Sequence, residues 1–249
     1  MLKARDISHN RKAEWLLVDL GFIGYKEAHD LQLHLVEAKS AGLFDRDVAL
    51  FLEHPSVFTL GRRGGLDNLK VPETFIDSRG IQIIHVERGG DITYHGPGQL
   101  VVYPIVDLKA GGWRVLDFVE ALEEVMIRTM ADWGIRAERS PLNRGAWVGG
   151  SKIGSVGIAI RRSISFHGLA LNVNTELEPF TWVFPCGLQG VGITSMKEQL
   201  GKDLPMDGVR RAAASKIEEV FDVTLDRVTR EGLLDLLDPA GPGREKEAI

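Results

Sequence analysis

Apolar residues recur along this chain at two spacings, one suited to strands and one to helices. Residues 16–20 form a short apolar run ended by Gly21, which predicts a first strand. Ala28, Leu31, Leu35 and Ala38 then recur at helical spacing, predicting a helix over 25–41 with Gly42 as its stop. A buried strand is predicted over 48–52 and is broken at His54-Pro55; residues 57–60 read as its continuation up to Gly61. Residues 72–78 suit a short helix, and the β-branched runs 81–87 and 99–105 suit strands. Between those runs, residues 88–98 hold four glycines in eleven positions and read as a loop without regular structure. Val115, Phe118, Val119, Leu122, Met126, Met130 and Trp133 make one stripe, predicting a helix capped by Gly134. A hairpin follows, with arms 146–148 and 152–161 turning at Gly149-Gly150-Ser151, and then a strand over 165–173. Helices are predicted over 194–200, 205–221 and 229–236, and the charged, Pro- and Gly-containing stretch 238–249 reads as a disordered tail.

Strands and helices mix without a regular βαβ alternation, so the fold class is α+β with a mixed sheet flanked by helices. Neither a repeat nor a composition shift marks a second domain. The reading is an N-terminal extension over 1–14, a single catalytic domain over 15–225, and a C-terminal helix and tail over 226–249.

Charge and cysteine content narrow the function. The formal net charge is −5, so nucleic acid is not the expected partner. No apolar run approaches the roughly 18 residues of a membrane span. Residues 1–15 resemble neither a secretory signal nor a transit peptide. The single cysteine, Cys186, excludes an internal disulfide and a paired-cysteine zinc site, and a reducing cytoplasm is the expected compartment. Twenty of the 28 glycines fall between Gly61 and Gly192, a density that points to tight turns or close backbone approach to a ligand.

Cys186 sits between Pro185 and Gly187, in a turn that would expose its thiol. A reactive cysteine also needs a positive neighbour. Lys152 opens an otherwise apolar strand whose small residues imply a covered face; burial there would make its ammonium easier to deprotonate. The loop 88–98 supplies Arg88, Asp91, Thr93, Tyr94 and His95 but lacks the Gly-Lys-Ser/Thr ending of a phosphate-binding loop. His34, His54, His85, His95 and His167 pair at no metal-ligand spacing, so no metal site is predicted. A Cys–His pair of Cys186 with His95 or His167 remains a competing arrangement.

Taken in order, several of these motifs resemble the lipoyl(octanoyl) transferase family. They are His54-Pro55, Phe58-Thr-Leu-Gly-Arg62, the run from Arg88 to Tyr103, Lys152-Ile-Gly-Ser-Val-Gly157, Phe166-His-Gly-Leu-Ala-Leu-Asn172 and Pro185-Cys186-Gly187. The resemblance spans roughly residues 15–220. It implies a biotin/lipoate protein ligase-like fold, with the ligase-like core over about 43–225. It also implies transfer of octanoyl from octanoyl-acyl carrier protein to a lysine of a lipoyl domain. Acceptors would be the lipoyl domains of 2-oxoacid dehydrogenase complexes and the glycine cleavage H protein. By this resemblance Cys186 is the nucleophile and Lys152 lowers its pKa. The substrate would lie along Arg88, Gly89, Gly90, Asp91, Ile92, Thr93, Tyr94 and His95, with Ser155, Val156, Gly157, Gly168, Leu169 and Ala170. No cofactor is implied. Glycines would form the walls of a narrow acyl slot, and the N–H groups of Cys186 and Gly187 are candidate oxyanion donors. An ATP-dependent lipoate or biotin protein ligase of the same fold, a non-catalytic module that binds lipoyl domains or acyl chains, and a Cys–His thioester hydrolase are the rival readings.

Overall fold

A computed structural model describes residues 12–184 and 191–238. Strand β1 (Ala13–Phe22) leads through helix α1 (Tyr25–Ser40) to β2 (Asp47–Glu53). Then follow β3 (Val57–Leu60), α2 (Glu73–Ser78), β4 (Gln82–His85), β5 (Ile92–His95) and β6 (Gln99–Ile105). Helix α3 (Val115–Ala131) precedes the antiparallel run β7 (Gly145–Val148), β8 (Ser151–Arg161) and β9 (Ile164–Asn172). Helices α4 (Met196–Leu200) and α5 (Met206–Phe221), strand β10 (Val223–Val228) and helix α6 (Arg230–Leu237) complete the described chain.

The main sheet has seven strands in the order β10-β1-β2-β6-β9-β8-β7, parallel at the β10-β1-β2 end and antiparallel from β6 onward. Its central strands are near-continuous apolar runs because both faces are covered. Alternation divides them: Trp15, Leu17, Ala49, Phe51, Leu100 and Val102 pack in one core with residues of α3 and α5. Leu16, Val18, Val48, Leu50, Leu52, Val101 and Tyr103 pack in the other with residues of α1 and α6. The expected mixed sheet flanked by helices is therefore the observed fold.

Three local readings change. Strand β3 does not continue β2. The chain crosses at His54-Pro55 into a second, three-stranded sheet of order β4-β3-β5. The crossing is pinned by buried His54, whose Nδ1 lies 2.9 Å from the Ile23 carbonyl oxygen and whose Nε2 lies 2.9 Å from the Tyr103 hydroxyl. The stretch 88–98 is not wholly irregular. Ile92, Thr93 and Tyr94 are good strand formers and pair antiparallel with Leu60, Thr59 and Phe58 as β5. Strand β10, absent from the sequence reading, adds a parallel edge beside β1 and spans the expected boundary at 225/226. Beyond it, Leu233 and Leu237 of α6 are buried in the core shared with α1.

Candidate active site

A pocket lies between the two sheets. Of the residues expected along it, Arg88, Gly89, Gly90, Thr93, His95, Lys152, Ser155, Val156, Gly157, Gly168, Leu169 and Ala170 line it. Asp91, Ile92 and Tyr94 do not. Strand alternation explains the division on β5: Thr93 and His95 face the pocket while Ile92 and Tyr94 face the core beneath the small sheet, with Phe58 and Leu60. The Tyr94 hydroxyl bonds Ser56 at 2.8 Å. Asp91 spends its carboxylate on structure, accepting from the Ile92 N–H at 2.6 Å and from Asn68 Nδ2 at 2.8 Å.

Arg88 is a buried guanidinium held by the neighbouring strand. Its Nη2 donates to the Thr59 carbonyl at 2.7 Å and to Thr59 Oγ1 at 2.8 Å, and its Nη1 donates to the Gly89 carbonyl at 3.0 Å. The turn after it is stapled to β8 by the Gly89 N–H, which donates to the Ile158 carbonyl at 2.9 Å. Gly61 lets this turn close: a Cβ there would stand 2.5 Å from the Gly90 carbonyl oxygen. The expected slot walled by glycines is only partly present. A Cβ on Gly168 would strike the Val102 carbonyl oxygen at 2.2 Å, and one on Gly154 would meet Met126 sulfur at 2.5 Å. Gly168, which lines the pocket, thus also lets β9 pack against β6, and Gly154 lets β8 pack against α3, while Gly157 faces the Arg88 turn, its Cβ position 3.1 Å from the Gly89 carbonyl oxygen.

Lys152 is buried as the sequence predicts, at 3% exposure. Its Nζ donates to Asn143 Oδ1 at 2.9 Å and stands 5.6 Å from the centre of the Trp147 ring. Asn143 was not foreseen, since it lies nine positions away on a connection without a motif. That connection is ordered by buried Glu123, which accepts from the Gly145 N–H at 2.8 Å and pairs with Arg139 at 3.3 Å and Arg144 at 3.5 Å. The backbone of Lys152 meets the segment returning after residue 190: its N–H donates to the Gly192 carbonyl at 2.8 Å, and its carbonyl accepts from the Thr194 N–H at 2.9 Å. Cys186 and Gly187, the expected nucleophile and its neighbour, lie outside the described residues.

A relay of polar side chains underlies the pocket. His95 Nδ1 lies 2.7 Å from Gln99 Oε1. Gln99 Nε2 donates to the Tyr94 carbonyl at 3.2 Å and to Asn172 Oδ1 at 2.9 Å, and Asn172 Nδ2 donates to the Thr194 carbonyl at 3.1 Å. Burial holds the imidazoles neutral. It pushes His54 down to about 4 and, with the nearby His54, pushes His95 down to about 3. His167 is driven well below the usual range by burial first, then by His29 and Arg88. Tyr25 and Tyr103 also line the pocket, both phenols pushed upward by burial.

The residues 24–218 match the lipoyl protein ligase A/B catalytic domain. Across 207 residues the chain is 47% identical to an octanoyltransferase of Desulfotalea psychrophila, covering 82% of this chain and 93% of that one. The chain belongs to this octanoyltransferase family. An octanoyltransferase of Syntrophobacter fumaroxidans is 45% identical over 212 residues, covering 85% of this chain and 92% of the relative. The fold is shared with the bi-partite lipoate protein ligase from Thermoplasma acidophilum, at TM-score 0.68 and 18% identity over 91% of each chain. It is also shared with a lipoate-protein ligase A bound with ATP, at TM-score 0.69 and 18% identity over 91% of this chain and 93% of that one. Among the described residues no helix is long and apolar enough to cross a membrane.

Proposed function

We propose that this protein is a cytoplasmic enzyme that moves an octanoyl group from octanoyl-acyl carrier protein to a lysine of a lipoyl domain, through a thioester on Cys186. Acceptors are the lipoyl domains of 2-oxoacid dehydrogenase complexes and the glycine cleavage H protein, and residues 15–225 act as one catalytic unit together with the rest of β10 and α6. The observation that carries the reading is the buried Lys152 at the wall of the pocket, in a chain with octanoyltransferase relatives. Cys186 follows in sequence only six positions before Gly192, whose carbonyl accepts from the Lys152 N–H.

In the first half-reaction the Cys186 thiolate attacks the donor's thioester carbonyl. The tetrahedral intermediate collapses with loss of the carrier thiolate, which takes up a proton. A free thiol near pKa 8.5 is only a few per cent ionised at neutral pH, so a neighbouring ammonium is needed to raise the thiolate fraction. The Lys152 ammonium fills that role, positioned by Asn143. In the second half-reaction the acceptor amine attacks the acyl-enzyme, Cys186 sulfur leaves, and Lys152, relieved of its thiolate partner, takes the amine's proton. Dividing the transfer lets one protein partner leave before the next docks. Burial of seven chain carbons supplies about 5–6 kcal/mol at ~0.8 kcal/mol per methylene. Docking of an acidic carrier protein on a net-negative enzyme needs a local basic patch, for which Arg62, Arg63, Arg161 and Arg162 are the candidates.

Intact-mass measurement after incubation with octanoyl-acyl carrier protein tests the reading. One added octanoyl group without ATP, absent from Cys186→Ala, is the expected result. An unmodified wild-type chain, or acyl activation that requires ATP and survives Cys186→Ala, would overturn it.

A further inference from the structure

The sequence gives no pair of residues at metal-ligand spacing, yet the fold gathers three donors at one edge of the pocket. His29 lies on α1, Glu87 follows β4, and His167 lies within β9. A ring nitrogen of each histidine and a Glu87 carboxylate oxygen lie within 4.8 Å of one another. His29 Nε2 stands 3.2 Å from Glu87 Oε2, and the two imidazoles are stacked with centres 5.3 Å apart.

His167 is the informative member. It is 1% exposed, and neither ring nitrogen has a hydrogen-bond partner among the described residues. A buried imidazole with both nitrogens unsatisfied calls for an explanation. Its backbone is unusual as well, with φ +56° in the middle of a strand, held by its N–H donating to Gln32 Oε1 at 2.7 Å. Non-glycine residues in the left-handed region are uncommon and concentrate at functional sites. The other two donors are half-buried and provide an entry path from solvent.

We propose that His29, Glu87 and His167 form a binding site for a borderline divalent cation, Zn²⁺ in particular. Two imidazoles and one carboxylate suit Zn²⁺, leave a fourth position open, and disfavour the oxygen-seeking Mg²⁺ and Ca²⁺. The Glu87 oxygens are divided, Oε1 toward Arg161 at 3.3 Å and Oε2 toward His29, so the ligating oxygen need not displace the arginine. Arg88 sets a positive charge against the cation, and the Glu87 carboxylate opposes it. Zn–N bonds of about 2.0–2.1 Å require the three donor atoms, which lie within 4.8 Å of one another, to draw closer and the stacked rings to turn toward the ion. His167 also lines the pocket, so on the proposed acyl-transfer reading an occupied site would stand against the acyl chain and inhibit.

The test uses the full chain and Zn²⁺ alone, by competition with a chromophoric zinc indicator, so that it does not depend on turnover. Cys186→Ser serves as the background, removing the thiol as an alternative ligand. The expected result is one Zn²⁺ per chain in that background, weakened at least tenfold by His29→Ala and by Glu87→Gln, with circular dichroism and melting unchanged. Loss of all zinc binding in Cys186→Ser, or undiminished binding in either added variant, would overturn the proposal.

Discussion

Mild acid should destabilise this protein well before its ordinary carboxylates protonate. His54 and His95 are buried, with their pKa values pushed down to about 4 and about 3, burial being the largest cause for each. In the unfolded chain each returns to about 6.5. The unfolded state therefore binds more protons between about pH 6.5 and those lowered values, and stability falls as the pH drops through that window. At about pH 5 an unfolded histidine is almost fully charged while either buried one is still neutral, which amounts to about 2 kcal/mol for each and about 4 kcal/mol for the pair. At about pH 7 the difference nearly vanishes, because the unfolded imidazoles are themselves mostly neutral. His167, shifted in the same direction, adds to the fall. Asp47, whose carboxyl burial pushes upward, works in the opposite sense in the acid range. Urea unfolding read by tryptophan fluorescence at about pH 7, 6 and 5 measures this directly. His95→Gln, which removes one titrating ring, should recover about 2 kcal/mol of the fall at about pH 5. A stability that is flat between pH 7 and 5 would refute the assignment of these imidazoles as neutral, desolvated groups.

Other outcomes follow from the same geometry. On the proposed two-step transfer, Lys152→Ala should impair both half-reactions, read by rapid-quench assay of acyl-enzyme formation and of transfer from preformed acyl-enzyme; full-speed second-step transfer would exclude the lysine as proton acceptor. Asn143→Ala removes a charge-assisted bond to Lys152 Nζ of the kind worth about 1.5–3 kcal/mol, so kcat/KM should fall roughly 10- to 100-fold with little change in melting temperature. Thr59→Val takes the side-chain acceptor from Arg88 while sparing the backbone one, and should lower stability by about 1–2 kcal/mol by urea unfolding. Gly157→Val places atoms against the Gly89 carbonyl and Arg88 and should reduce kcat/KM for octanoyl donors more than for hexanoyl donors.

The sequence made some of this architecture legible and hid the rest for definable reasons. Helices α1, α3 and α5 and the β7–β8 hairpin follow from local periodicity and from glycines at 134, 149 and 150, all of which adopt positive φ. Strand β5 was hidden because four glycines in its neighbourhood outweighed Ile92-Thr93-Tyr94, whose partner strand is over thirty residues earlier. Strand β10 is short and half-polar, as an edge strand can be, and its partner lies at the other end of the chain. The burial of Lys152 was readable from its apolar, small-residue strand. Asn143, Thr59 and His29 were not, because each acquires its role only through space, from a different element. Gly168 was readable as a residue along the pocket, but not its second constraint: its missing side chain also makes room for the Val102 carbonyl.

The relay beneath the pocket fixes where one proton sits. The Thr194 carbonyl can only accept, so Asn172 must turn its amide nitrogen there and its oxygen toward Gln99. Gln99 must then offer nitrogen to Asn172 and the Tyr94 carbonyl, and oxygen to His95. His95 is therefore the Nδ1–H tautomer, with an unprotonated Nε2. With a pKa of about 3 that lone pair accepts a hydrogen bond but is too weak a base to deprotonate water at neutral pH. On the proposed reading, a thioester held near His95 would meet a ring that cannot activate water, and would wait for an amine.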